Sequence, residues 1–149
     1  MSLHIISHKN FKIDKPLSKK LSTAFDLICI EERLSNCSVN LKILNDSEIK
    51  NLNRKFRNKD KPTNVLSFTN EDISKQVTNN IGDIAISYEY VECESKEQNK
   101  NFDNHFIHMF IHGIYHILGF DHENDSMADD MEDKEILLLK KLNIKNPYK

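Results

Sequence analysis

The sequence predicts an α+β fold of the α/β type: a single compact domain with a small mixed sheet of about four strands, surrounded by about five helices, one of them central. Two patterns carry this expectation. Short runs with apolar residues at every second position are interspersed with longer runs in which they fall every three or four, the periods of a half-buried strand and an amphipathic helix. Residues 102–118, with Phe102, Phe106, Ile107, Met109, Phe110, Ile111, Ile114, Ile117 and Leu118, are apolar on most sides of a helix, which places that helix inside the core. At 149 residues the chain has the length of one domain, 1–149, whose core needs no covalent staples.

In chain order, residues 3–7 and 37–44 alternate as strands, the second with Val39, Leu41 and Ile43 on one face and Ser38, Asn40 and Lys42 on the other. Between them, residues 15–34 place Leu17, Leu21, Ala24, Phe25, Ile28 and Leu34 at helical spacing, with Asp14 and Pro16 as start signals. Asn45 or Asp46 caps a second helix whose apolar positions are Ile49, Leu52 and Phe56, and Pro62 closes the loop after it. Residues 65–68 and 81–87 are two further short strands, joined by a polar loop over 71–80. A helix follows Ser87 and breaks near residues 99–101, before the central one. Ser126 with Asp129 gives a weak cap to the last helix, which runs to about Leu142 with Met131, Ile136, Leu138, Leu139 and Leu142 as its buried positions.

Composition removes several classes. No apolar stretch reaches transmembrane length, and the first thirty residues carry Asp, Glu and Lys throughout where a signal peptide would have an apolar core, so a cytoplasmic protein without a membrane partner is expected. Cys29, Cys37 and Cys93 are odd in number, far apart in sequence and without a C-x-x-C pair. They suggest neither a disulfide framework nor a thiolate zinc site.

The most informative residues are His112, His116 and His122, in the segment His112-Gly-Ile-Tyr-His116-Ile-Leu-Gly119-Phe-Asp-His122. Residues four apart share one helix face, and Gly119 can take the left-handed conformation that ends a helix and turns the chain back. One histidine on an apolar helix is usually a packed residue. Three, at helical spacing with a helix-stopping glycine, are read as ligands of one metal ion on the central helix. Three nitrogens and one open position are the coordination of a catalytic zinc, whereas structural zinc is normally closed by four ligands. The spacing H-x-x-x-H-x-x-G-x-x-H also occurs in metzincin proteases, but there a glutamate follows the first histidine as general base. Here that position is Gly113, which argues against proteolysis. His108, one turn before His112, and His105 either support the ligands from behind or are simply packed, and the sequence favours neither.

Net charge is only −2, yet residues 50–61 hold Lys50, Arg54, Lys55, Arg57, Lys59 and Lys61 against the single acid Asp60. In a helix continuing through this stretch, Lys50, Arg54, Arg57 and Lys61 form one stripe that could meet a phosphate backbone, although a basic helical face taken alone is more often just solvated. The acidic run over 121–135 is explained mostly as favourable charge around a helix start, with tuning of the metal site as the alternative.

Three blocks carry a family resemblance. Leu52-Asn53-Arg54-Lys55-Phe56-Arg57-Asn58-Lys59-Asp60-Lys61-Pro62-Thr63-Asn64-Val65-Leu66-Ser67-Phe68, then Ile81-Gly82-Asp83-Ile84-Ala85-Ile86, then the three-histidine segment, resemble consecutive blocks of the YbeY family from Leu52 to Glu135, the Met131…Glu135 tail included. Departures at Tyr115, Ile117 and Phe120 are packing positions. The resemblance implies a single-strand-specific, zinc-dependent endoribonuclease acting in ribosomal RNA processing, at the late small-subunit 3′ end, and in ribosome quality control. It implies zinc on His112, His116 and His122 and a functional Arg57, makes Gly113 normal for the family, and leaves room for a ribosome-associated protein partner but none for DNA. Attack on phosphorus falls to activated water or to the RNA's own 2′-OH. The alternatives are a ribosome-assembly RNA-binding protein with a structural metal, or another zinc hydrolase.

Overall fold

Asp14 starts the first helix as expected, its carboxylate accepting from the Leu17 amide at 2.9 Å with proline in the first turn. The computed structural model describes residues 2–70 and 79–149. The elements are β1 (Ser2–Ser7), α1 (Lys15–Glu31), β2 (Ser38–Leu44), α2 (Asp46–Arg57), β3 (Val65–Thr69), β4 (Asn80–Ser87), α3 (Tyr88–Glu97), α4 (Phe102–Ile117) and α5 (Asp125–Lys141). Most of the loop expected over 71–80 lies outside the described residues; its last residue, Asn80, begins β4.

The four strands form one mixed sheet in the order β1-β2-β4-β3. β1 pairs parallel with β2, and β2 with β4, connections that require crossover segments such as α1; β3 runs antiparallel to β4. Strand alternation then sorts the core onto two faces. Val39, Leu41, Ile43, Ile84 and Ile86 meet α1, α4 and α5 through Leu21, Phe25, Ile28, Phe106, Phe110, Ile114 and Leu138, all buried. The other face carries a smaller cluster, Ala85 and Leu66 under Ile49 of α2. Eleven of the sixteen residues of α4 are buried, so the central position expected for it is observed. Among the described residues no helix is long and apolar enough to cross a membrane.

Several local expectations are corrected. α1 ends at Glu31, three residues before Leu34, which packs from the following loop. α5 is capped by Asn124, whose side chain accepts from the Met127 amide at 2.9 Å, and not by Ser126 with Asp129. Phe56 is 51% exposed, its ring meeting Phe68 at 5.3 Å on the strand at the sheet edge. α2, opened by an Asn45 and Glu48 capping box, stops at Arg57 because Asn58 takes φ +58°. Lys61 therefore leaves the helix, and the four-residue stripe is broken after Arg57. Cys29 and Cys37, eight residues apart in sequence, are buried side by side with Sγ atoms 3.1 Å apart, while Cys93 is exposed.

Left-handed backbone outside glycine falls, among the described residues, on Arg33, Asn36, Asn58, Asn79, Asn99 and Asn143. Five of the six are asparagine, the side chain that tolerates this region best.

Candidate metal centre

α4 presents His112 and His116 on one face. Leu118 caps the helix, and Gly119 at φ +101° turns the chain in open space, a position where conformation and not crowding calls for glycine. The loop that follows returns His122 to the other two. One nitrogen from each histidine lies within 4.8 Å of the other two, and the rings of His112 and His116 are 4.6 Å apart at nearly a right angle. The trio expected from the sequence is thus brought together, with two half-buried members on a core helix and an exposed third on a loop.

Glu135 settles which nitrogen of His112 is free. This carboxylate of α5 is fully buried, and its Oε2 lies 3.0 Å from His112 Nδ1 while its Oε1 lies 2.6 Å from His108 Nε2 and 2.8 Å from the Tyr148 hydroxyl. Burial pushes its pKa up, but the hydrogen bonds from His108 and His112 outweigh burial and hold it down at about 2. An ionised carboxylate only accepts, so His112 donates from Nδ1 and keeps a lone pair on Nε2. That Nε2 faces Nε2 of His116 at 3.2 Å. Two nitrogens bound to one tetrahedral zinc at about 2.0–2.1 Å each stand about 3.3 Å apart, so the spacing fits a shared ion. Burial, reinforced by the neighbouring His112 and His122, lowers the His116 pKa and favours the neutral, ligating form. The His108 pKa is also lowered by burial, against the pull of Glu135; His108 touches the same carboxylate as His112, so the two are linked through Glu135. His105 is instead held by Glu94, 3.0 Å from its Nε2.

A cavity of about 550 Å³ opens over the three histidines, with Arg57, Lys59 and Lys61 also on its walls. Arg57 donates from Nη2 to the Ser67 carbonyl at 2.8 Å and lies over the Phe68 ring at 5.1 Å. Ser67 in turn donates from Oγ to the Gly113 carbonyl at 2.9 Å, so one serine of β3 ties the arginine to the turn of α4 between the two helical histidines. A Cβ at Gly113 would stand 3.1 Å from Ser67 Oγ and 3.2 Å from Ile84. This residue faces the sheet, where the side chain of a peptidase's general base would be crowded. Lys50 and Arg54 are exposed on α2 and do not line the cavity.

A family model described as Endoribonuclease YbeY matches residues 4–143, across both the sheet and the whole metal centre. The chain belongs to the YbeY endoribonuclease family. A YbeY endoribonuclease of Francisella philomiragia is 41% identical over 152 residues, covering 99% of this chain and 95% of that protein. One from Francisella tularensis subsp. novicida is 43% identical over 137 residues, covering 89% and 85%. The solution structure of TM1509 from Thermotoga maritima superposes with a TM-score of 0.66 at 28% identity, over 94% of this chain and 88% of that one. The YbeY match includes Arg57, all three histidines and Glu135, and stops before Tyr148.

Glu135 is the residue that sequence reasoning missed. It lies in an acidic run read mostly as favourable charge around a helix start, yet it sits in the apolar stripe of α5 between Met131 and Leu138, and a carboxylate at a core position was the available signal. Glu135→Gln keeps the shape and removes the charge that holds His112 in its ligating tautomer. Zinc affinity is expected to fall about 10- to 100-fold, as for other partners of metal-bound histidine. Competition against a chromophoric chelator measures this, and an unchanged affinity would leave Glu135 as packing only.

Proposed function

We propose that the chain is a zinc-dependent endoribonuclease that cuts single-stranded RNA in ribosomal RNA maturation, at the late small-subunit 3′ end, and in ribosome quality control. The observation that carries this reading is the single cavity in which three convergent imidazoles face Arg57, Lys59 and Lys61. Family membership supports the nuclease chemistry and RNA as substrate.

Three neutral imidazoles are a donor set suited to zinc. His112, His116 and His122 would hold the ion, with Glu135 and His108 orienting His112. Zinc, when bound, supplies Lewis acidity that polarises a phosphoryl oxygen or acidifies water. Arg57 brings a planar fork of donors, fixed by Ser67 and Phe68, to charge that grows on phosphorus. Lys59 and Lys61 position the phosphate backbone, and the exposed Lys50 and Arg54 extend the positive surface beside the entrance.

Highly purified protein should cut a single-stranded RNA oligonucleotide and spare the same sequence in a duplex. Stripping the metal should stop cleavage, and stoichiometric zinc should restore it. Cleavage that persists after metal analysis shows the protein to be zinc-free would remove the metal from the mechanism. An inert zinc-loaded protein that still binds RNA would leave a binding protein with a structural metal.

A further inference from the structure

The cavity over the histidines does not end there. A second cavity, of about 320 Å³, shares Asn64 and His112 with it and runs behind α4 to Tyr148. A third, of about 450 Å³, shares Gln98, Lys100, His105, His108 and Pro147 with the second and lies between the junction of α3 with α4 and residues 143–149. The second and third volumes are in the range of about 300–1,000 Å³ that accommodates small-molecule ligands.

The third cavity differs chemically from the rest of a chain whose net charge is −2. Its walls carry Lys100, Lys145 and Lys149 and, among the described residues, no side-chain carboxylate, with six side-chain amides from Gln98 and five asparagines; Glu94 stands on the wall of the second cavity, where it is held by His105 and Asn64. Amides offer donors and acceptors together, as base edges require, and ammonium groups serve as point charges for phosphates. The third cavity is also lined by His105 and His108, 4% and 5% exposed, whose Nδ1 atoms have no hydrogen-bond partner among the described residues. Tyr148, at the wall of the second cavity, is 44% exposed and stands edge-on to His108, an aromatic surface on which a base could stack.

We infer that these two cavities form a nucleotide subsite that holds the RNA strand on one side of the cut bond. The strand passes the metal centre between Asn64 and His112 and continues to the amide- and lysine-lined cavity, where one or two nucleotides are held. Unpaired bases can reach such a cavity, whereas bases stacked in a duplex cannot. The inference rests on the RNA-cleaving function proposed above and adds to it the place and chemistry of strand binding.

Lys145 and Lys149 are exposed and suited to removal; Lys100 is not, because its Nζ donates to the Pro147 carbonyl at 3.2 Å and anchors this segment. The test uses single-stranded oligoribonucleotides lengthened one nucleotide at a time on either side of the cut bond. With the parent, kcat/KM should rise as nucleotides are added on one side only. In Lys145→Ala/Lys149→Ala that gain should disappear through KM, by about tenfold on the longest substrate, with kcat, zinc content and cleavage of the shortest substrate unchanged.

Binding of the same oligonucleotides at a pH or temperature where cleavage is stopped, read by fluorescence anisotropy, separates the two levels of inference. A parent that binds with the one-sided length dependence but never cuts overturns the nuclease and leaves the subsite. A double variant with the parent's length dependence overturns the subsite and leaves the nuclease; the lysines would then serve another occupant, such as an acidic protein segment. A uniform loss on short and long substrates also overturns it.

Discussion

His116→Ala protein is expected to purify without stoichiometric zinc and without ribonuclease activity. The half-buried His116 ring supplies one of two nitrogens already set 3.2 Å apart, and alanine removes it. Two ligands, one of them on an exposed loop, do not make a zinc site of ordinary affinity. The same logic gives the parent a pH dependence. Imidazoles bind metal only when neutral, so protons compete with the ion and affinity falls as pH drops toward and below the histidine range. Burial lowers the His116 pKa and so carries its ligating form to lower pH. Metal analysis of His112→Ala and His116→Ala beside the parent decides the assignment. Near-stoichiometric zinc in both variants would show that the ion is held elsewhere.

Arg57→Ala should lower the rate of RNA cleavage by roughly a hundredfold or more, the usual consequence of removing one preorganised donor from developing charge. Zinc content should be unaffected, since Arg57 reaches the metal helix only through Ser67. Arg57→Lys retains the charge but cannot hold the Ser67 carbonyl, lie over Phe68 and fork toward phosphate together, so it should recover part of the activity. Single-turnover cleavage at saturating enzyme isolates the chemical step from affinity. Should Arg57→Ala match the parent under those conditions and differ only in binding, the residue positions phosphate and has no part in the transition state.

Much of the metal centre was legible in the chain because its parts are local. Two histidines one helical turn apart, a glycine that turns the chain and a third histidine three residues later are all set by near neighbours. The helix bearing them announces its central place by being apolar nearly all round. What depends on packing between distant segments was harder to read. Ser67 links Arg57 to Gly113 only because β3 lies at the sheet edge beside β4 and under α4. Glu135 meets His112 from a different helix, and its burial was hidden by the acids around it. The basic stripe failed for a local reason: Asn58 adopts a left-handed conformation that a charge count along a continued helix ignores. Phe56 has helical spacing for burial, but at the end of α2 its ring meets Phe68 of the edge strand and remains half in solvent.

The asparagines that stand in for glycine have a further consequence. A chain with only three glycines must reverse direction with residues that carry side chains, and two of those it uses, Asn99 and Asn143, also line the lysine-rich cavity. Punctuation of the backbone and lettering of the surface are there the same residues. A mutational scan with alanine would blur the two, since alanine loses the amide and also resists the left-handed turn. Glycine keeps the turn while erasing the amide, at a cost mainly in the freedom of the unfolded chain. For these two positions glycine, not alanine, is the substitution that isolates what the side chain says from how the chain bends.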